Sequence, residues 1–141
     1  MGKINVGRLI LGGIVAGIAI DLLDYFVDGV WLAQRWADGM ARLHQPGFST
    51  VQIILFNVIG LLTGLVAVWV YAAIRPRFGA GIKTAIYAGL AVWILTVLFP
   101  NLTFMHVAHL FSQHLTLYTT LGGLVEAVFG TVAGASVYRE S

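Results

Sequence analysis

Residues 9–31 read LILGGIVAGIAIDLLDYFVDGVW, a continuous apolar stretch interrupted by only three charged residues, all aspartates. The hydrocarbon core of a bilayer is about 30 Å thick and is crossed by about 20 mostly apolar helical residues. This stretch is long enough to cross, and three others along the chain have the same character. The predicted spans are residues 9–31, 51–74, 82–99 and 117–138.

The composition agrees with a membrane location. The chain has 141 residues, 59% of them hydrophobic, and its mean hydropathy of +0.89 lies far outside the range of soluble domains. These values predict an all-α polytopic membrane protein, a bundle of four transmembrane helices that forms a single domain over residues 1–141.

The charge and cysteine content exclude several classes of function. Only 10% of the residues are charged, and the basic ones lie at the ends of the predicted spans, so nucleic acid is not an expected partner. The chain has no cysteine, which excludes disulfides, thiolate metal sites and thiol catalysis. No phosphate-binding loop, dinucleotide motif or nucleophile elbow is present.

Basic residues predict the orientation in the membrane, because cytoplasmic loops are enriched in Lys and Arg. The distribution is six residues against two, which places both termini in the cytoplasm. The first group is Lys3, Arg8, Arg75, Arg77, Lys83 and Arg139, and the second is Arg35 and Arg42.

The three connections are predicted to be short. The first contains the turn Pro46-Gly47, after a segment that prolongs helix 1 to about Leu43. The second is a tight loop over residues 75–79, where Pro76 and Gly79 stop the helix. The third, residues 100–116, has no charged side chain other than histidine and a helical polar pattern, so we expect a short interfacial helix on the outer face.

One face of helix 1 combines small and acidic residues. At about 100° per residue, Gly13, Gly17, Asp21, Asp24 and Asp28 fall near one line. A pair of small residues four apart lets another helix approach closely, so this face is predicted to point into the bundle. The same face continues to Trp31 and Arg35, and Asp28 is placed to form an ion pair with Arg35.

Two other spans are predicted to face this stripe. Helix 4 has Glu126 among small residues, and helix 2 has Asn57 near two glycines. From a rise of 1.5 Å per residue, Glu126 lies about 14 Å and Asp21 about 15 Å from the outer ends of their helices, so the two are expected to meet. The glycines predicted to serve packing are Gly13, Gly17, Gly60, Gly64, Gly122, Gly123 and Gly130. Helix 3, apolar over residues 90–99 apart from Thr96, is predicted to be peripheral.

Carboxyl groups at one buried depth, without a lysine or arginine, cannot comfortably all be ionised. A shared proton or a bound cation is therefore one interpretation, because ionisable residues inside a membrane are candidates for function. The alternatives are neutral carboxyl groups that hydrogen-bond neighbouring helices and a pocket for another ligand. The candidate proton or ion ligands are Asp21, Asp24, Asp28, Asn57 and Glu126.

Three histidines in the third connection suggest a metal site, because imidazole is a common ligand for transition metals. His106 and His109 share a predicted helical face, and His114 lies off it. The spacing lacks the i, i+4 pair and intervening Glu of zinc proteases. Histidines that hydrogen-bond at the headgroup level are the simpler interpretation, and the sequence requires no cofactor.

The first 40 residues resemble a known group. Asn5-Val6-Gly7-Arg8, followed by GGIVAG at residues 12–17, Trp31, Trp36 and Met40, is similar to the start of uncharacterised small bacterial four-span membrane proteins. The resemblance implies the architecture and a bacterial cytoplasmic membrane, and no activity or site.

These observations favour a non-enzymatic accessory or oligomer-forming subunit of a membrane assembly, packed against itself or larger subunits, because little of the chain lies outside the bilayer. The alternative is proton or cation transport through Asp21, Asp24 and Glu126. A metal-dependent membrane enzyme that uses the histidines is a third class.

Overall fold

The computed structural model describes residues 4–140, and within them every regular element is helical. Four helices are long and apolar enough to cross a membrane, with 26, 29, 25 and 25 residues. At 1.5 Å per residue they are about 37 to 44 Å long, which exceeds the thickness of a bilayer core. The prediction of an all-α chain with four such helices is therefore confirmed. Lys3 lies outside the described residues.

The helices are α1 (Val6–Trp31), α2 (Ala33–Arg42), α3 (Thr50–Phe78), α4 (Ile82–His106) and α5 (Gln113–Val137). Side-chain caps fix three of the starts. The side chain of Asn5 accepts a hydrogen bond from the Arg8 amide, Ser49 and Gln52 form a capping box, and Ser112 accepts from the Leu115 amide. Such caps satisfy amides that have no partner within the helix.

The tight loop predicted over residues 75–79 is wrong, because α3 continues through Pro76 to Phe78. The fixed φ of proline is compatible with a helix. Because Pro76 has no N–H, the last turn lacks only the hydrogen bond that this residue would donate to the Ala72 carbonyl. The helix ends instead at Gly79, whose φ of 84° lies in the left-handed region that glycine tolerates.

The short helix predicted within residues 100–116 is present only in part, because Phe99–His106 is helical but is not a separate helix. α4 continues past Pro100 to His106, and residues 107–112 form a loop before α5. Proline fits the first turn of a helix, and Pro100 stands at the start of the α-helical turn that follows a π-helical segment, Ile94–Leu98. In that segment the Phe99 amide donates to the Ile94 carbonyl five residues earlier.

The short separate helix lies instead after α1. A break at Leu32, with φ −96° and ψ 3°, divides α1 from α2, so helix 1 is not simply prolonged to Leu43. Leu32 and Met40 are buried, whereas the charged residues of α2 are exposed. α2 is therefore an amphipathic helix at one end of the bundle.

The four long helices run antiparallel in chain order. α1 packs against both α3 and α5, and α4 packs against α5 and α3. We call the end where α1 finishes and α5 begins the Trp31 end, and the opposite end, with the α3–α4 loop, the Arg75 end.

Small residues make the contacts between these helices close. At each of the seven glycines that were predicted to serve packing, a Cβ atom would come within 3.0 Å of a neighbouring helix, so no larger residue fits without movement. They are Gly13, Gly17 and Gly64 between α1 and α3, Gly60 against Asp21, Gly122 against Val27, Gly123 against Val97, and Gly130 against Ile20. Gly12 and Gly134 form a further contact of this kind between α1 and α5.

The prediction that helix 3 is peripheral is wrong. Ala85, Ala88 and Val92 of α4 are buried, and Gly89 lies against the backbone of α5 at Val128. The Trp93 indole N–H donates to the Thr120 carbonyl of α5 at 2.9 Å. A lack of polar residues does not place a helix at the periphery, because lipid and the interior of a bundle are equally apolar.

Candidate functional site

A π-helical segment at the end of α1 contains Asp28 and begins directly after Asp24. Over Tyr25–Trp31 the backbone is bonded i→i+5, and the Leu32 amide donates to the Val27 carbonyl at 2.8 Å. The wider turn rotates the residues around it relative to a regular helix. Asp28, within this segment, and Asp24, the residue before it, lie beside Glu126 of α5, whereas Asp21 lies against Gly60 of α3. Segments of this kind are frequent at functional sites.

Three carboxyl groups meet between α1 and α5. One carboxylate oxygen each from Asp24, Asp28 and Glu126 lie within 4.8 Å of one another, and we call these residues the carboxylate cluster. Glu126 is 8% exposed, and its buried Oε1 has no hydrogen-bond partner among residues 4–140. A buried carboxylate oxygen without a donor is costly, so this atom is available to an external ligand.

Neighbouring residues hold the cluster in place. The indole N–H of Trp36, in α2, donates to Asp28 Oδ1 at 2.7 Å, which orients that carboxyl group. Gly122 lies one turn before Glu126, where a Cβ atom would be 3.5 Å from Glu126 Oε1 and would overlap the side chain of Val27. Glycine at this position therefore lets α1 approach Glu126.

No basic side chain among residues 4–140 forms an ion pair with the cluster. The guanidinium carbon of Arg35 lies 4.6 Å from the centre of the Tyr118 ring, and the ion pair found within residues 4–140 is Arg75–Glu140 at 3.7 Å, at the opposite end. The predicted pair of Asp28 with Arg35 is wrong, because α1 breaks at Leu32 and redirects Arg35. Two like charges 4 Å apart repel by about 4 kcal/mol at an effective dielectric constant of about 20. The cluster therefore calls for protons or a cation.

Two of the predicted ligands lie elsewhere. Asp21 was expected to meet Glu126 but contacts Gly60 of α3 instead, because it shares a face of α1 with Gly13 and Gly17, and that face packs against α3. Asn57 is exposed, and its amide N–H donates to the carbonyl of Ile53 in its own helix at 2.7 Å. The aspartate that joins Asp24 and Glu126 is Asp28.

The histidines do not form a metal-ligand group with one another within residues 4–140. His106 ends α4, His109 lies in the following loop with a φ of 49°, and His114 is in the first turn of α5. The expected shared face of His106 and His109 required a continuous helix, which ends before His109.

Trp36 is a residue of the candidate site that the sequence analysis did not predict. A tryptophan just beyond the end of a span is typical of an interfacial aromatic, not of a group that orients a carboxylate. The only indication in the sequence is a side chain able to donate a hydrogen bond eight residues after Asp28. The helix break at Leu32, which brings the two side chains together, is not evident from sequence periodicity.

Fold and cluster together define a class of protein: a four-helix chain whose helices are long and apolar enough to cross a membrane, with three acidic side chains gathered between the first and last of them. No protein-family model, curated protein or solved structure matches the chain.

Proposed function

We propose that this protein is an integral membrane protein that binds a cation at the carboxylate cluster as a step in cation transport. The observation that carries the proposal is the meeting of Asp24, Asp28 and Glu126 within 4.8 Å, with one buried oxygen of Glu126 left without a partner. A cation supplies the attraction that offsets the mutual repulsion of the three groups.

The donor atoms favour a hard divalent cation. All three ligands are carboxylate oxygens, which suit Mg²⁺, Mn²⁺ and Ca²⁺, whereas softer transition metals favour imidazole or thiolate. Oxygens that bind Ca²⁺ lie about 2.3 to 2.6 Å from the ion, so any two of them are at most about 5 Å apart. The spacing in the cluster fits this limit. Three protein oxygens leave coordination positions for water, as suits an ion that must also leave.

The position of the cluster favours access from one side. It lies toward the Trp31 end of α1, and Asp24 is exposed in the isolated chain while Asp28 is half-buried. With both termini in the cytoplasm, as the basic residues predict, this end faces outward. The absence of cysteine makes single-cysteine labelling a direct test of the orientation: a cysteine at Ser49 should react from outside and one at Ala80 from inside.

Metal binding is tested with the purified full chain in nanodiscs. Titration calorimetry with Mn²⁺, Mg²⁺ and Ca²⁺ should give one site, and Glu126→Gln should weaken it at least about tenfold, because one anionic ligand is lost. Asp21→Asn is the matched control, since Asp21 lies in the same helix as Asp24 and Asp28 but outside the cluster. This variant should keep the affinity within about twofold. Absence of binding to the unmutated protein would contradict the metal site.

Transport is tested in proteoliposomes. Ion flux by the unmutated protein should be lost in Glu126→Gln and retained in Asp21→Asn. Proton flux without metal binding would identify the proton as the cargo, and absence of both fluxes would remove transport while leaving a binding site.

A second candidate function is that of a subunit in a membrane assembly. The residues of α3 from 51 to 59 are exposed around the whole circumference of the helix, and Asn57 lies among them. An amide side chain on a surface within the membrane favours association with another helix. Cross-linking from a cysteine at Ile54 should capture a second copy or another subunit in native membranes, and a protein that stays monomeric and without partners would contradict this function.

A further inference from the structure

A second polar site lies at the Trp31 end, outside the carboxylate cluster. A cleft of about 500 Å³ opens between α2 and the start of α5. Its polar lining consists of Arg35, Asp38, Arg42, His109, Ser112 and His114. The volume is within the usual range for small-molecule sites, about 300 to 1,000 Å³.

The charge of the cleft is basic. Two arginines and two histidines face a single carboxylate, Asp38, and that carboxylate accepts a hydrogen bond from the Gln34 amide at 3.0 Å. Neither Arg35 nor Arg42 has an ion-pair partner within residues 4–140. Two arginines in one cleft without a carboxylate partner are suited to an anion.

The fold holds these groups in position. The Arg35 guanidinium is fixed over the Tyr118 ring, which reduces the freedom it would lose on binding a ligand. The cleft also meets the beginning of α5, where Ser112 caps the helix through the Leu115 amide. The first amides of a helix lack internal partners and carry the positive end of its dipole, so they add to the attraction for an anion.

We propose that this cleft binds a phosphate group, held by Arg35 and Arg42 with His109 and His114 as further donors. A guanidinium binds two phosphate oxygens at once, and the cleft has room for the organic part of a phosphate ester. The phosphate belongs either to a lipid headgroup or to a soluble phosphate compound, since both present the same oxygens. The site is independent of cation binding at the carboxylate cluster.

The two sources are separated with two probes on the full chain. Inorganic phosphate is titrated by calorimetry into the protein in phosphatidylcholine nanodiscs. Phosphatidylglycerol is tested by native mass spectrometry, which counts the lipids that stay bound. Binding of phosphate identifies a site for soluble phosphates, and binding of phosphatidylglycerol alone identifies a headgroup site.

Matched variants then decide the proposal. Arg42→Gln should lower the affinity for the probe that binds by about tenfold, which is the loss expected for a charge-assisted contact. Arg77→Gln removes an arginine at the Arg75 end and should leave binding unchanged. His114→Asn, which removes a different donor, should weaken binding less. Unchanged Mn²⁺ affinity or an unchanged circular dichroism spectrum verifies folding of each variant. Failure of both probes to bind, or equal binding by Arg42→Gln and Arg77→Gln, would overturn the proposal.

Discussion

The Arg75 end and the Trp31 end of the bundle are held together by different means. Toward the Arg75 end the backbones of α1 and α5 touch at Gly12 and Gly134, and a buried cluster of small and aromatic side chains joins all four long helices. Toward the Trp31 end lie both π-helical segments, the carboxylate cluster and the exposed first turns of α3. Close packing at the Arg75 end stabilises the fold and offsets the free energy lost by burying polar groups at the Trp31 end. Such a division is common, because functional sites tend to reduce stability.

The largest effect is expected where the backbones touch. Gly134→Ala places a Cβ atom against the Gly12 carbonyl and within 2.7 Å of the Ala16 Cβ. Overpacking that the backbone must absorb should lower the free energy of unfolding by about 3 kcal/mol, measured by denaturant titration in detergent. Gly29→Ala is the control, because its Cβ would meet only Tyr25 of the same helix, at 3.4 Å. Equal losses in the two variants would show that the contact between α1 and α5 at Gly12 and Gly134 does not determine the effect.

A gain in stability is expected at the carboxylate cluster. Glu126→Gln removes one of three neighbouring charges and should raise the free energy of unfolding by about 2 kcal/mol in cation-free buffer at alkaline pH. Denaturant titration in detergent measures the difference, and Asp38→Asn should show no gain in the free energy of unfolding, since Asp38 is exposed and lies outside the cluster. A Glu126→Gln protein no more stable than its parent would mean that repulsion in the cluster is already compensated.

A smaller effect is expected from the hydrogen bond that orients Asp28. Trp36→Phe removes the indole donor but keeps an aromatic ring near Phe48 and Phe111, whose ring centres lie 5.7 and 5.3 Å from that of Trp36. Loss of a group that positions a metal ligand should weaken Mn²⁺ binding about tenfold. Trp93→Phe, which loses a donor to α5 away from the cluster, should keep the affinity, and a Trp36→Phe protein with full affinity would exclude a positioning role.

The smallest effect concerns backbone strain. His44 has a φ of 55°, a region that residues with a Cβ atom rarely occupy. His44→Gly should raise the free energy of unfolding by about 0.5 kcal/mol, because relief of strain slightly exceeds the extra entropy of the unfolded chain. His44→Val should lower it, and thermal unfolding of the two variants side by side measures the difference. Equal midpoints would show that the turn carries no strain.

The helices themselves follow from the sequence, because length and hydropathy determine which segments cross a membrane. The errors arise where the backbone departs from a regular α-helix. The π-helical segments before Leu32 and Pro100 alter the phase of the side chains within them, such as Asp28, without an evident signal in residue type. Asp21 lies before the first segment and follows the regular helix, which directs it to α3 with Gly13 and Gly17. Pro76 and Pro100 were expected to end helices, but each occupies a turn where its missing N–H costs little.

The packing of α1 against α5 has a consequence for how the protein is made. α1 emerges first from the ribosome and α5 last, yet the two contact each other from Gly12 with Gly134 to Val27 with Gly122. Until α5 is inserted, Gly12 and Val27 of α1 lack their partners in α5, and Asp24 and Asp28 lack Glu126. A chain that stops before α5 therefore lacks the helix that covers these aspartates, and each aspartate that contacts hydrocarbon instead costs up to about 2.5 to 3.5 kcal/mol.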